Sequence, residues 1–482
     1  MRAHKFWRAF AIILTCAFAL YLIAFRPGYF TDPIWLGALV FLQVLAAILV
    51  KYCEAFFPTL VLVFLFAGSA VPAHELWTSV RWLVLAAGAV AGLIVWLRCN
   101  HLTLGALHLI ALACVLTAIV SALVSTYPDV ALLKALSLLL LFVYAVTGGR
   151  VALAGREQKF LAGLLFGCEA LVYISTVAYF VLHVELFGNR NSLGVAMGVV
   201  ALPFLLWGLV VSDSRSLRRR RIFALLLCQL LLLASYERAG ITAALTSSAL
   251  LCLALRRYRL ICVGLLIALI TAAIVATVVP LPTVSQADDG SLTSRFVYKG
   301  KREAGVLASR KSVWQKTISS LEEHPWLGSG FGTSATAYDK TPIDQKFSSA
   351  GQVTREHGNS YLEIAEWVGL IGVVPFAFLL LLIMAKVARV CAWIHQTGVA
   401  SSPAVPLAAF VAGALVHAGF EDWLFAVGYH TCVLFWVFAF MLADFVPART
   451  ATRYLDAKYP STIGNPLGAL AGVQTCTFSS MH

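Results

Sequence analysis

The residue best suited to acid–base chemistry is a single histidine placed directly before an apolar segment. His357 lies within Arg355-Glu-His-Gly-Asn-Ser-Tyr-Leu-Glu363. A neutral imidazole near pH 7 can accept the proton of a sugar hydroxyl as that hydroxyl attacks. The alternative is a surface histidine without a role. We therefore treat His357 as a candidate general base.

The residues that follow have a structural explanation. Ser360-x-x-Glu363 before an apolar run is the pattern of a capping box, which predicts a helix starting at Tyr361 and leaves Ser360 and Glu363 without chemistry. Asn359 is expected either to orient His357 or to belong to the same cap.

Two arginines lie beside predicted helix ends. Arg190 occurs in Phe187-Gly-Asn-Arg-Asn-Ser-Leu-Gly194 between Asn189 and Asn191, and Arg238 follows Glu237 in Ser235-Tyr-Glu-Arg-Ala-Gly240. The planar guanidinium suits bidentate binding of phosphate oxygens, and an arginine near hydrocarbon is costly to keep. Binding of a pyrophosphate in a wet crevice is the functional interpretation. The alternative is extension of each side chain to the lipid headgroups.

Other motifs argue against metal and nucleotide chemistry. The eleven cysteines have no C-x-x-C spacing of the metal-binding kind, so a cysteine-zinc site is not expected. The segment His324-Pro-Trp-Leu-Gly-Ser-Gly-Phe-Gly332 has three glycines but no Gly-Lys-Ser or Gly-Lys-Thr, and it follows no strand. We interpret it as a structural turn, and we expect no metal and no cofactor.

The composition determines where these motifs must sit. The chain has 482 residues, of which 60% are hydrophobic and 12% charged, with a mean hydropathy of +0.86. Apolar runs long enough to cross a hydrocarbon layer of about 30 Å recur along most of its length. We predict an all-α, polytopic transmembrane helical bundle of about 12 to 14 helices. Candidate spans lie near 8–26, 34–50, 56–72, 79–97, 102–124, 131–148, 160–182, 192–211, 222–236, 239–255, 260–280, 362–385, 404–420 and 424–446.

These spans divide the chain into four regions. Residues 1–280 form an N-terminal transmembrane bundle, 281–360 a long loop that carries the His357 motif, 361–446 the C-terminal transmembrane helices and 447–482 a tail. Within the loop, Leu307, Trp314, Ile318 and Leu321 fall near helical spacing. They predict an amphipathic helix that either lies on the membrane surface or packs onto the bundle.

The positions of the basic residues predict the orientation. With the N-terminus inside, 21 Lys and Arg fall in cytoplasmic segments and only 5 in short outer segments. The positive-inside rule therefore places both termini in the cytoplasm and the loop outside. The same placement explains the net charge of +13 without nucleic acid, which we do not expect as a partner. All three polar motifs then meet on the outer side.

At these motifs the sequence resembles the O-antigen ligase and polymerase superfamily of bacterial membrane glycosyltransferases. The resemblance follows the order of the segments from about 187 to 375, and the first half agrees only in being a helical bundle. The sequence departs from the commoner form of the family motifs at two positions. Gly358 lies between His357 and Asn359, and Glu237 precedes Arg238. The segments that carry it are Phe187 to Gly194, Glu237 to Gly240, Arg310-x-x-x-Trp314, His324 to Gly332, and His357-Gly-Asn-Ser-Tyr-Leu-Glu-Ile-Ala-Glu366 leading into Gly369-Leu-Ile-Gly372.

The resemblance implies a metal-independent, inverting transfer of glycan from undecaprenyl pyrophosphate on the outer face of the bacterial inner membrane. It implies His357 as the general base and Arg190 and Arg238 as the pyrophosphate clamp. We also predict Asn189, Asn191 and Asn359, which lie beside these residues in the sequence, as substrate contacts. The acceptor is lipid A-core or a similar lipid or glycan for a ligase, and a second lipid-linked repeat for a polymerase.

A polysaccharide transporter is the remaining alternative. It would place substrate-binding charges near the middle of the membrane. Glu169 is the clearest mid-span candidate, whereas Glu366 and Asp422 lie near the ends of spans.

Overall fold

The computed structural model describes residues 56–69, 74–98, 104–153, 156–278, 308–334 and 356–445, together with five helical residues between 41 and 48. The predicted span 8–26, most of the predicted span 34–50, most of the predicted loop and the tail lie outside the described residues. The described residues form helices joined by short turns, which confirms the predicted all-α polytopic bundle.

Apart from those five residues, the described part of the chain contains thirteen helices, α1 to α13. Seven of them are long and apolar enough to cross a membrane, and four shorter ones are also apolar. Helices suit this environment because their backbone hydrogen bonds are satisfied within each segment. Their bounds are α1 Phe56–Ala67, α2 His74–Arg98, α3 Ala106–Leu123, α4 Pro128–Leu153, α5 Glu157–Val181, α6 Arg190–Val210, α7 Arg215–Ala234, α8 Arg238–Ala254, α9 Tyr258–Val278, α10 Ala308–Glu323, α11 Ser360–Thr397, α12 Ala404–Ala418 and α13 His430–Phe445.

The last two helices lie at the centre of the bundle. Every residue of α13 from His430 to Leu442 is buried, as are thirteen of the fifteen residues of α12. Small side chains bring α8 and α12 close together, since a Cβ at Gly413 would lie 2.9 Å from the carbonyl oxygen of Ala243. Such small-residue contacts are a usual means of packing helices in membranes, where the lipid is as apolar as the side chains.

Segments predicted to share a side of the membrane lie together. At the predicted outer end, Arg81 donates to the carbonyl of Gly428 at 2.9 Å, and the hydroxyls of Ser125 and Thr333 lie 2.7 Å apart. At the other end, Arg150 binds Asp444 through two nitrogens, one of them at 2.7 Å. The relative sidedness of the turns therefore agrees with the charge argument. Which end faces outward stays a prediction.

The amphipathic segment forms α10, and this helix packs onto the bundle. Its buried positions are Thr317 and Ser320, with Trp314 and Leu321 half-buried beside them. Ile318 is 46% exposed, so the buried face is rotated away from the apolar stripe read from the sequence. Ser320 faces the bundle because its hydroxyl donates to Glu366 of α11, whereas the hydroxyl of Thr317 donates to the carbonyl of Val313 in its own helix.

Candidate functional site

The His357 motif ends on the first turn of α11. Asn359 is the N-cap of this helix, and its side-chain oxygen accepts hydrogen bonds from the backbone N–H groups of Tyr361 at 2.9 Å and Leu362 at 3.1 Å. Of the two roles considered for Asn359, the structure shows the cap. The predicted capping box is wrong, because the helix begins at Ser360 and Glu363 does not cap it.

His357 is fully buried among carboxylates. Its Nε2 lies 3.1 Å from Oε2 of Glu366, and its Nδ1 lies 3.9 Å from Oε1 of Glu363 and 3.8 Å from Oδ2 of Asp422. The ring also packs edge-on against Trp367, with the ring centroids 5.8 Å apart. The sequence pattern predicted no chemistry for Glu363, and no pattern connected Glu366 or Asp422 with the histidine.

The two nitrogens of His357 have different surroundings. Glu366 accepts from Nε2, and its other oxygen, Oε1, accepts from the hydroxyl of Ser320 in α10 at 3.1 Å. Nδ1 is buried and has no hydrogen-bond partner among the described residues. A carboxylate at Nε2 holds the proton there, so the lone pair of the neutral ring is on Nδ1. The free lone pair therefore points towards Glu363 and Asp422.

The turn between α12 and α13 closes this side of the site. Asp422 accepts the backbone N–H of His357 at 2.7 Å, and the hydroxyl of Ser360 donates to the carbonyl of Glu421, also at 2.7 Å. The same hydroxyl accepts the backbone N–H groups of Trp423 and Leu424 at 3.1 Å each. The available sequence signal was the acidic pair Glu421-Asp422 before the last predicted span, on the same predicted side as His357.

The glycine-rich segment is a structural turn, as we interpreted it. Its Ser329 and Gly330 donate backbone N–H groups to the carbonyls of Glu366 at 2.9 Å and Trp367 at 3.1 Å. Those carbonyls accept hydrogen bonds from outside the helix because α11 is interrupted at Gly369, whose φ of 66° and ψ of −177° are not helical. The turn thus caps a broken helix and holds the segment that carries Glu363 and Glu366.

Arg310 and Trp314 connect α10 to the motif. Arg310 forms an ion pair with Glu421 and lies 3.6 Å from Glu356, and Trp314 donates its indole N–H to the carbonyl of Gly358 at 3.3 Å. Gly358 has a φ of 60°, and Arg310 occupies the space that a Cβ there would need. The difference from the commoner family motif at Gly358 therefore has a local steric reason.

Arg238 and Arg190 are each the first residue of a helix. Glu237 caps α8 through the backbone N–H of Gly240, and Asn189 caps α6 by accepting from Ser192 at 2.7 Å. A helix N-terminus carries partial positive charge and binds anions. The two predicted clamp arginines therefore both lie where the backbone favours phosphate.

The starts of α6 and α8 lie side by side. Gly194, one turn after Arg190, is packed against the side chains of Glu237 and Ser235, where a Cβ would not fit. Arg238 in turn has Arg310 and Glu237 as charged neighbours, and Glu237 lies 3.4 Å from Nε2 of His417. A chain of charged residues thus runs from Arg238 through Arg310 and Glu421 to Asp422 and His357.

Arg190 lies at the edge of this group. It lies 3.3 Å from Glu185 and lines a small cavity with Tyr179 and Asn189, while Asn191 is exposed. The buried charge that the transporter alternative relied on, Glu169, is bound to Arg220 at 2.9 Å at the opposite end of the bundle. It therefore has a structural partner on the side predicted to be cytoplasmic.

One group of side chains has the composition of a metal site. The ligand atoms of His357, Glu363 and Asp422 all lie within 4.8 Å of one another. The expectation of no metal came from the cysteine spacing and the resemblance; these three residues, separated by up to 65 positions in the chain, form no local metal-binding pattern.

Comparison with known families agrees with the motifs. A family model described as O-antigen ligase matches residues 222–377, about a third of the chain. This match supports the resemblance to the O-antigen ligase and polymerase superfamily. It covers Arg238, Arg310, His357, Glu363 and Glu366, and it excludes Arg190 and the turn with Asp422. No match to a curated protein was found.

Proposed function

We propose that this membrane protein, whose residues 222–377 match the O-antigen ligase family, transfers a glycan from undecaprenyl pyrophosphate to a hydroxyl of lipid A-core or a similar acceptor. The reaction takes place on the outer face of the bacterial inner membrane, proceeds with inversion and needs no metal.

The observation that carries this proposal is that the two ring nitrogens of His357 have different surroundings. With Glu366 at Nε2, the imidazole presents an unpartnered lone pair at Nδ1, and the carboxylate stabilises the imidazolium that forms when Nδ1 takes a proton. This arrangement is suited to a general base.

The proposed reaction is one displacement. The acceptor hydroxyl gives its proton to Nδ1 of His357 while its oxygen forms a bond to the anomeric carbon. The bond from that carbon to the pyrophosphate oxygen breaks, and undecaprenyl pyrophosphate leaves with the electron pair. Attack from the face opposite the leaving group inverts the anomeric configuration.

The arginines hold the leaving group. Arg190 and Arg238 extend from neighbouring helix N-termini, and charge that develops on the pyrophosphate is stabilised by their guanidinium groups and by the backbone N–H groups. Asn191 in the first turn of α6 is a further contact, while Asn189 acts by capping that turn. The leaving group is a weak base, so no separate general acid is required.

Access to His357 is from the side of Asp422. The side chains of His357 and Glu363 are 0% and 4% exposed, whereas that of Asp422 is 23% exposed. The acceptor hydroxyl therefore enters beside Asp422, and the turn that carries this residue has to shift outward to admit it.

The test is transfer by purified His357→Ala in detergent, with binding of the lipid-linked donor measured on the same preparation. Transfer should fall by at least about a hundredfold, the lower effect of removing a general base, while donor binding is retained. The exposed His324 provides the control, since His324→Ala should leave both measurements unchanged.

Normal transfer by His357→Ala would reject the proposed base. Loss of donor binding together with transfer would instead assign His357 to the pyrophosphate site. The length of the product separates the two acceptor types, because a ligase adds one glycan to the core acceptor and a polymerase gives a ladder on the lipid carrier.

A further inference from the structure

We propose that His357, Glu363 and Asp422 form a binding site for a divalent transition-metal cation such as Zn²⁺, and that its occupancy inhibits glycan transfer. The binding site stands on the geometry alone. The inhibition rests on the proposed function of His357.

The three side chains offer one nitrogen and two carboxylate oxygens around a common point. Nδ1 of His357 lies 3.9 Å from Oε1 of Glu363 and 3.8 Å from Oδ2 of Asp422. Zinc binds such atoms at about 2.0 to 2.2 Å, which places ligands of a tetrahedral site about 3.4 Å apart. The two separations from Nδ1 exceed that value by about half an ångström, and all three ligand atoms lie within 4.8 Å of one another, so the ligands need to move inward. Asp422 can make such a movement because it lies on a turn and is only partly buried.

Two buried atoms of these residues have no hydrogen-bond partner among the described residues. Nδ1 of His357 and Oε2 of Glu363 make no hydrogen bond among the described residues, and the two residues are 0% and 3% exposed. Burying a carboxylate oxygen without a partner is unfavourable. A dication bound here would use the unpartnered Nδ1 of His357 and would lie close to the carboxylates of both Glu363 and Asp422.

Glu366 completes the arrangement seen around histidines that bind metals. Such a histidine usually donates its second ring N–H to a carboxylate, which fixes the tautomer and the orientation of the ring. Here Glu366 accepts from Nε2 at 3.1 Å and is itself held by the hydroxyl of Ser320 at 3.1 Å. The lone pair at Nδ1 is therefore directed at the two carboxylates before any cation arrives.

A cation in this site blocks the proposed reaction. Coordination uses the Nδ1 lone pair that would otherwise accept the proton of the acceptor hydroxyl. It also draws Asp422 inward and so closes the side from which that hydroxyl enters. Inhibition should be reversible, because a chelator that removes the cation restores the free base.

The experiment uses the full-length protein in detergent after treatment with EDTA. Zn²⁺ binding is measured by calorimetric titration, and Co²⁺ is used as a spectroscopic substitute. We expect one strong site per chain in the wild type and at least tenfold weaker binding in Glu363→Gln and in Asp422→Asn. The two variants keep the size of each side chain, and His324→Asn is the matched control with unchanged binding.

Transfer is then followed against free Zn²⁺. Inhibition should show the same midpoint as binding and should be reversed by EDTA. Full transfer, or faster transfer, at saturating Zn²⁺ would overturn the inhibitory role. Unchanged affinity in both carboxylate variants would overturn the site itself.

The Co²⁺ spectrum decides the ligand type without any variant. Nitrogen and oxygen ligands give no thiolate-to-cobalt charge-transfer band, whereas binding at the cysteines of this chain would give one and would overturn the assignment. Different results would reject the proposed general base and the proposed cation site. Normal transfer by His357→Ala rejects the base, while the titration still decides the site.

Discussion

Arg310 of α10 forms an ion pair with Glu421 of the turn between α12 and α13, across 111 positions of the chain. The ion pair connects α10 to the turn that covers His357. Burial raises the pKa of Glu421, and the Arg310 guanidinium acts in the opposite direction.

This pair predicts a pH-dependent loss of stability in Arg310→Ala. A carboxyl whose folded pKa is raised contributes stability that is present below its unfolded pKa and is lost as the pH rises through the folded value. Removing the guanidinium raises the pKa of Glu421 further. The variant should therefore unfold at a lower temperature than the wild type, and the difference should be larger at pH 8 than at pH 5.

The control for this prediction is the double variant Arg310→Ala with Glu421→Gln. It has no ionisable group at position 421, so the additional pH dependence should disappear. An equal decrease in melting temperature at both pH values for Arg310→Ala would contradict the assigned role of Glu421.

Arg190→Lys and Arg238→Lys should each lose most transfer activity. Lysine keeps the charge but not the planar fork that binds two phosphate oxygens. A loss of about 3 kcal/mol of transition-state binding would slow turnover by roughly a hundredfold. Arg219→Lys, in the exposed start of α7, is the matched control. Near-normal rates in both test variants would show that the arginines only anchor their helices at the membrane interface and do not bind the pyrophosphate.

The predicted orientation can be tested with single cysteines. Cysteines at Ser291 and Ser349, in a background without the exposed Cys262, should react with an impermeant reagent in intact spheroplasts. A cysteine at Ser216, in the basic start of α7, should react only after lysis. The opposite result would reverse the topology and remove the basis for an active site on the outer face.

Gly369→Ala should destabilise the protein and lower transfer. The residue has a φ of 66° and a ψ of −177°, and the carbonyl of Trp326 occupies the space of a Cβ. Strain of this kind costs about 1 to 3 kcal/mol, and the glycine turn would separate from the broken helix. Gly264→Ala in α9 meets no neighbour and should be neutral or slightly stabilising in thermal unfolding. Similar melting temperatures for the two variants would contradict this role.

Much of this protein could be read from the sequence because the signals involved are local. Hydropathy predicts the helices, since each transmembrane segment must satisfy its own backbone hydrogen bonds. The charges of short turns predict which turns share a side, and the described contacts of Arg81, Ser125 and Arg150 agree with that grouping. The motif around His357 identified the candidate base because the residues of that motif are contiguous in the sequence.

Only the tertiary structure decided what surrounds that histidine. Glu363 was read as a helix cap because capping is a local pattern, yet the side chain turns inward to Nδ1. Asp422 lies 65 positions from His357, and no periodicity connects them. Glu366 faces Nε2 because the turn that precedes α13 and the glycine turn both hold the first turns of α11 in place. Which carboxylate meets which nitrogen depends on how separate helices pack, and a linear pattern does not contain that information.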